Sequence, residues 1–320
     1  MEPSEQAMTF AETIRKAPVT LTDGATIERL RRDQALELDP HVLHAGFVFQ
    51  PAGRNALETI YRQYLDIGRQ FALPMIVLTP TWRANPERVR LAGLGDHGEV
   101  NAQGFRFLAG VREDYGPYSE QILIGGLLGP RGDAYRPTEA LPEDEAAGFH
   151  GPQAAALSEA GTDFLMAATL PAASEAVGVA RAMARCAVPY LISFVVRSTG
   201  ALLDGTPLAH AIERIDADTE SPPLGYMVNC VHPSVFAEAM DRTIDQSPKI
   251  AARVMGLQAN TSRLSPEELD DLDHLDEADD SETLADAMVE LHRRLGIKIL
   301  GGCCGTDNRH ICCIAKKVSG

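Results

Sequence analysis

Eight short apolar runs separated by longer stretches, several with helical periodicity, restrict the fold of this chain more than any other feature. The runs cover residues 19–23, 75–79, 121–125, 163–168, 190–195, 224–229, 250–257 and 297–301. Clear helical patterns lie at 55–69, 143–159, 174–185 and 280–294. Short, continuous apolar runs are typical of parallel strands that are covered on both faces. Strands that alternate with helices in this way predict an α/β fold, a single closed (β/α)8 TIM barrel, with a doubly wound open sheet as the alternative.

The barrel is expected to occupy residues 1–320 as one domain, with 1–17 as an N-terminal extension of the same unit. Two segments fit the alternation poorly. Residues 25–49 are long for one connection and are expected to hold a helix and irregular structure. Residues 265–282, including the acidic segment 267–282, lack the spaced ligands and central glycine of a calcium loop, so we expect a solvated acidic loop or helix face.

The charge balance and the chain's N-terminal residues limit its partners and its compartment. With 29 basic and 45 acidic residues the net charge is −16, which argues against nucleic acid and against an anionic membrane surface. No run approaches the ~18 apolar residues of a membrane span, and the first residues lack the basic and apolar regions of a signal peptide. We therefore expect a cytoplasmic protein, in which six cysteines favour metal binding or chemistry over disulfides.

Two adjacent cysteines, Cys303 and Cys304, lie between glycines directly after the last predicted strand. The carboxyl end of a barrel strand is the catalytic face, and the flanking glycines permit backbone angles that could aim both sulfurs at one point. A third cysteine, Cys230, directly follows the predicted strand 224–229. Strand ends that are distant in sequence meet around one barrel mouth, so the three thiolates predict one bound Zn²⁺ with a fourth position open for a substrate.

Other interpretations of the cysteines remain open from sequence alone. The adjacent pair could form a redox disulfide, or the cysteines could be buried apolar residues. The remaining cysteines stand within or beside helical patterns without neighbouring glycines and are interpreted as packing residues: Cys186, Cys312 and Cys313.

The strings around these cysteines resemble the two zinc motifs of the homocysteine S-methyltransferases. Those strings are residues 228–230, Val-Asn-Cys, and 301–306, Gly-Gly-Cys-Cys-Gly-Thr. Weaker similarities follow in the family's order at 22–25, 126–132, 192–194 and 203–208. The resemblance implies a substrate site in which Asp23 acts as the catalytic acidic residue that holds a substrate ammonium. Its other expected substrate-binding residues are Gly24, Thr81, Trp82 and Asn229. Trp82 could also face a cationic methyl donor through a cation–π contact, or it could instead be a core residue.

The resemblance implies a zinc-dependent transferase that moves a methyl group from a sulfonium, quaternary ammonium or corrinoid donor to a thiol, with homocysteine giving methionine. Two positions depart from the family. Ala168 stands where the family has a glutamate that holds the homocysteine amino group, and residues 79–82 read Thr-Pro-Thr-Trp instead of Thr-Asn-Thr-Tyr. The alternatives are a different thiol acceptor or a barrel with structural zinc. The expected partners are small molecules, and homo-oligomerisation stays open.

Overall fold

Eight parallel strands close into one barrel in this computed structural model, which describes residues 8–32, 35–264, 268 and 279–320. Leu21 of the first strand pairs with Met75 of the second and also with Leu300 of the last, so the ring has no open edge. The prediction of a (β/α)8 barrel is confirmed, and the open-sheet alternative is wrong. The strands are β1 (Thr20–Thr22), β2 (Met75–Leu78), β3 (Ile122–Leu128), β4 (Phe164–Leu170), β5 (Tyr190–Phe194), β6 (Gly225–Val231), β7 (Val254–Ala259) and β8 (Ile299–Gly302).

Helices follow the strands and cover the outside of the barrel, as the four helical patterns predicted. In the described part of the chain they are α1 (Phe10–Lys16), α2 (Ile27–Arg31), α3 (Pro51–Phe71), α4 (Pro86–Leu91), α5 (His97–Glu113), α6 (Glu143–Ala160), α7 (Ala173–Met183), α8 (Leu208–Asp218), α9 (Pro233–Gln246), α10 (Pro248–Ala251), α11 (Ser281–Leu295) and α12 (Asn308–Ser319). Short 3₁₀ segments lie at Ala45–Phe49, Gly116–Gln121 and Pro137–Glu139. None of the helices described is both long and apolar enough to cross a membrane.

The apolar core has two layers, one between strands and helices and one inside the barrel. The inner layer includes Leu123, Met166 and Met227, whose side chains are buried. Helix α1 packs into this layer, because the ring of Phe10 stacks on that of Phe164 with 3.9 Å between centroids. Since Phe164 begins β4, α1 lies at the amino end of the barrel and leaves the carboxyl end open.

The strand predicted at 250–257 is wrong at its start. Residues Pro248–Ala251 form helix α10, and the strand runs instead over Val254–Ala259. Proline is favoured in the first turn of a helix, where its missing N–H is not needed. An apolar run alone does not distinguish such a turn from a strand.

The two irregular segments are only partly described. Within residues 25–49, the structure has α2 and the 3₁₀ segment Ala45–Phe49. Of the acidic segment, 265–267 and 269–278 lie outside the described residues. Asp280 is the N-cap of α11, and its side chain accepts a hydrogen bond of 2.8 Å from the Thr283 N–H.

Candidate metal centre and substrate cavity

A cavity of about 450 Å³ opens at the carboxyl ends of the barrel strands. This volume falls within the range of ~300–1,000 Å³ that is usual for small-molecule sites. The structure brings seven of the eight residues predicted for the site into its lining: Asp23, Gly24, Trp82, Asn229, Cys230, Cys303 and Cys304. The eighth, Thr81, is buried outside the lining, and its hydroxyl donates a hydrogen bond of 2.8 Å to the Leu127 carbonyl.

The three predicted cysteines form one cluster of sulfur atoms. Their Sγ atoms all lie within 4.8 Å of one another, and those of Cys230 and Cys304 are 3.3 Å apart. Zinc–sulfur bonds of ~2.3 Å in a tetrahedral site place sulfurs roughly 3.8 Å apart, so the spacing fits a zinc ion. All six cysteines of the chain are free thiols, and Cys186, Cys312 and Cys313 pack against the outer core instead.

Cys230 reaches the mouth because β6 bulges at this residue. Asn229 pairs with Gln258 and Val231 pairs with Ala259, so Cys230 is an extra residue between two regular pairs. Its φ is 58°, in the left-handed region that non-glycine residues rarely adopt. The sequence predicted that the strand ends just before Cys230, whereas β6 includes Cys230 and ends at Val231. The bulge turns the thiol toward the cavity.

The cysteine pair is held by a tight turn after β8. The Thr306 N–H donates to the Cys303 carbonyl at 3.1 Å, and the Cys303 N–H donates to the Ala259 carbonyl at 2.6 Å. The sequence predicted that the flanking glycines adopt unusual backbone angles, and among them only Gly305 has a positive φ, 81°. Gly302 has a different role, because a Cβ at this position would come within 2.1 Å of the Thr306 hydroxyl. Gly302 is therefore needed for space.

Hydrogen bonds within the cluster favour one thiolate. The thiols of Cys303 and Cys304 and the hydroxyl of Tyr135 hold the pKa of Cys230 well below its ordinary value. The Tyr135 Oη lies 2.8 Å from the Cys230 Sγ. Sequence reasoning missed Tyr135, which lies in the loop between β3 and α6 and has no motif of its own. A metal ion would hold all three sulfurs as thiolates.

Asn229 connects three neighbouring strands behind the thiols. Its Oδ1 accepts hydrogen bonds from the Thr169 N–H at 2.9 Å and from the Ser193 hydroxyl at 2.6 Å, and its Nδ2 donates to the Thr169 Oγ1 at 2.9 Å. Thr169 also has a positive φ of 66°. All three residues are buried. The amide of Asn229 therefore supports the backbone on both β4 and β6 next to Cys230.

Acidic groups lie on the β1 side of the cavity. Burial raises the pKa of Asp23 to about 7, although its carboxylate accepts hydrogen bonds from the Leu78 N–H and the Thr22 hydroxyl. Glu28 accepts a hydrogen bond of 2.7 Å from the Gly305 N–H, and burial raises its pKa as well. Sequence reasoning did not identify Glu28. These carboxylates could hold a cationic group of a substrate.

Close packing surrounds the remaining predicted positions. A Cβ on Gly24 would lie 2.9 Å from both the Thr306 and the Tyr64 hydroxyls. The Trp82 Nε1 donates to the Ala168 carbonyl at 3.4 Å, and the Arg83 guanidinium stacks 4.1 Å from the centre of the Trp82 ring. One face of Trp82 is thus already covered by a cation. Ala168 lines the cavity but contributes no carboxylate to it.

The chain is similar to a known protein family and to several of its characterised members. Residues 20–318 match the family model for homocysteine S-methyltransferase. Homocysteine S-methyltransferase YbgG of Bacillus subtilis (strain 168) is 28% identical, over 92% of this chain and 92% of the relative. Methionine synthase of Mycobacterium tuberculosis is 25% identical, over 83% of this chain and 22% of the relative.

A solved structure supports the fold. The metallated form of the homocysteine methyltransferase MmuM from Escherichia coli superposes with a TM-score of 0.75 at 20% identity, covering 95% of this chain and 98% of that one. The family model extends over the described barrel from β1 to α12. The resemblance to this family is confirmed, and the chain belongs to the homocysteine S-methyltransferase family of methyltransferases.

Proposed function

We propose that this protein transfers a methyl group to the sulfur of homocysteine and uses one zinc ion bound by Cys230, Cys303 and Cys304. The observation that carries the proposal is the cluster of three sulfur atoms within 4.8 Å of one another at the mouth of a cavity. Three protein thiolates leave one position of a tetrahedral site for the acceptor. When bound, zinc would keep the acceptor sulfur in its nucleophilic thiolate form near neutral pH.

The chain's own residues hold and orient the substrates. The turn after β8 fixes Cys303 and Cys304, and the bulge in β6 fixes Cys230, so the acceptor sulfur has a defined position. Asp23 is the first candidate to bind the acceptor's ammonium, because its carboxylate lines the same cavity. When both reactants are held in the site, the entropic part of the activation barrier is lower, because the reactants no longer have to meet in a bimolecular encounter. The Tyr135 hydroxyl, from the loop after β3, lies 2.8 Å from the Cys230 Sγ.

Ala168 favours a second candidate, transfer to a thiol other than homocysteine. Its side chain is 4% exposed in the cavity and supplies no carboxylate for an amino group. A screen of homocysteine against thiols without an ammonium decides between the two acceptors. We further propose a cytoplasmic location, because six free cysteines fit a reducing compartment.

The metal assignment is tested by elemental analysis of purified protein. The parent should contain one zinc per chain, and alanine at Cys230, Cys303 or Cys304 should remove most of it. Cys186→Ala is the matched control, because this thiol packs against the outer core away from the cluster. Full zinc content in all three cluster variants would show that the assignment is wrong.

The activation mechanism is tested separately by X-ray absorption at the zinc edge. The zinc spectrum should gain one sulfur neighbour when the acceptor thiol is added to the zinc-loaded protein. A spectrum that does not change with a thiol that is nevertheless methylated would contradict direct activation at the metal.

A further inference from the structure

A tight turn after β2 carries Trp82 into the cavity. The Ala84 N–H donates to the Thr81 carbonyl at 2.8 Å, so that Trp82 and Arg83 are the two central residues of the turn. Four residues closed by such a hydrogen bond are typical of a β-turn. Trp82 lines the cavity, whereas Thr81 and Ala84 are buried at the two ends of the turn. The position of the Trp82 ring therefore depends on what holds these two ends.

Two amide side chains from neighbouring helices hold the ends of the turn. Gln153 of α6 donates through its Nε2 to the Thr81 carbonyl at 2.8 Å. Asn101 of α5 donates through its Nδ2 to the Ala84 carbonyl at 2.8 Å. The two amides are also joined, because the Gln153 Nε2 donates to the Asn101 Oδ1 at 3.2 Å. The turn is thus held from behind at both of its outer carbonyls.

Both amides are deeply buried, with Asn101 at 0% and Gln153 at 1% exposure, and both lie outside the lining of the cavity. Burial of an amide is costly unless its polar atoms are hydrogen-bonded. The Asn101 Nδ2 also donates to the His97 carbonyl at 2.8 Å. Packing alone does not need an amide at either position, because an apolar side chain would avoid this cost. A buried polar network that is satisfied instead favours one arrangement of the groups around it.

Glycines allow two neighbouring segments to pack closely on the turn. A Cβ on Gly104 of α5 would lie 2.8 Å from the Thr81 Cγ2. A Cβ on Gly129, just after β3, would lie 2.5 Å from the Trp82 Nε1. Close packing of this kind leaves little freedom to shift without a cost in free energy. The turn is therefore fixed by packing at its sides and by hydrogen bonds from behind, and the Trp82 ring faces the cavity.

We infer that Gln153 and Asn101 are positioning residues for the proposed methyl transfer, because they hold residues 81–84 so that Trp82 forms a fixed wall of the cavity. This inference rests on the proposed function and deepens it. It also gives Thr81 a different role from the substrate contact that the resemblance implied, because its carbonyl anchors the turn from a buried position. A displaced wall would misalign a bound substrate, and a misplacement of ~1 Å can cost about a hundredfold in rate.

The direct test is the fluorescence of Trp82, the only tryptophan in the chain, in the substrate-free protein. Gln153→Met keeps a side chain of similar length but removes the amide. The emission of this variant should move to longer wavelength, and acrylamide should quench it more efficiently, because the released ring becomes more accessible to water. Thr162→Val is the matched control, because it removes a buried hydrogen bond of 3.0 Å to the Leu157 carbonyl before β4, at the amino end of the barrel. This control should keep the parent's Trp82 fluorescence.

Kinetics separate positioning from a loss of stability. The value of kcat/KM should fall about ten- to a hundredfold in Gln153→Met and stay near that of the parent in Thr162→Val, although urea unfolding should show that both variants lose stability. In a Trp82→Ala background, Gln153→Met should have little further effect on kcat/KM, because the ring that it positions is gone, while its cost in stability should remain. Asn101→Ala releases the other end of the turn and should change fluorescence and kcat/KM in the same direction, so it serves as the test if Gln153→Met does not fold.

Unchanged Trp82 fluorescence in both amide variants would overturn the inference, and so would a change of equal size in Thr162→Val. A parent-like kcat/KM in a variant whose fluorescence shifts would show that the wall does not serve the reaction. A full further loss of kcat/KM when Gln153→Met is added to Trp82→Ala would show that the amide acts through another residue, which also contradicts the inference. The fluorescence needs neither substrate nor metal. A shift in Gln153→Met therefore supports the positioning of Trp82 even if no thiol is methylated, and in that case the proposed function alone fails.

Discussion

Replacement of Asn229 by alanine is expected to weaken the proposed metal centre, because Asn229 supports the backbone behind it. The variant loses three buried hydrogen bonds, two to Thr169 and one to Ser193. At ~1 kcal/mol for each bond, the free energy of unfolding should fall by about 3 kcal/mol. The neighbouring Cys230 has a φ of 58°, a strained conformation that costs ~1–3 kcal/mol and persists only when its surroundings hold it. Zinc affinity should therefore fall together with stability.

The assay combines urea unfolding of the metal-free protein with zinc competition against a coloured chelator. Ser193→Ala is the matched control, because it removes one of the same hydrogen bonds and should cost about 1 kcal/mol. The resemblance to the family implied instead that Asn229 contacts substrate. If Asn229→Ala keeps the parent's stability and zinc affinity but raises KM for the acceptor, our structural reasoning is refuted and the substrate contact is supported.

Three further variants test the rest of the site. Because burial raises the pKa of Asp23 to about 7, its carboxylate forms as pH rises through that value. For an acceptor with an ammonium group, kcat/KM should therefore rise near this pH, and Asp23→Asn should remove the inflection from the pH profile. Ala168→Glu should raise kcat/KM for homocysteine about ten- to a hundredfold over Ala168→Gln; no gain would mean that another acid already holds the amino group. Gly302→Ala should lose zinc, because the added methyl would lie 2.1 Å from the Thr306 hydroxyl. The control Gly148→Ala should retain zinc, because its methyl would enter open space. Equal zinc content in the two variants would refute the steric argument.

The barrel could be predicted because its signal repeats along the whole chain. Each buried strand needs a continuous apolar run, and eight such runs with helices between them allow few architectures. Local boundaries were less certain. The apolar run before β7 was assigned to the strand, although Pro248 begins a helical turn there. Over so few residues, hydrophobic periodicity cannot distinguish a helical turn from a strand, because the run is too short to show either repeat.

The site was predicted only where its residues carry a local motif. Cys303 and Cys304 stand out between glycines, but the left-handed backbone of Cys230 has no sequence signal, since it depends on a bulge set by pairing with β7. Tyr135 and Arg83 were missed for a related reason. Each reaches the cavity through contacts with residues distant in the chain, Cys230 for the first and the carbonyls of Pro130 and Gly132 for the second.

The distribution of the cysteines over β6 and β8 affects the order in which the protein can mature. Synthesis proceeds from the amino end, so Cys230 emerges well before Cys303 and Cys304. Between these moments its thiol has no partners from the later motif, and the β7 strand that completes its bulge has yet to be made. The nascent chain therefore carries an unprotected thiol, and all three cysteines could bind the proposed zinc ion only after β8 joins β1 and closes the ring. Until the barrel closes, the newly made chain therefore depends on reducing surroundings to keep the Cys230 thiol from oxidising.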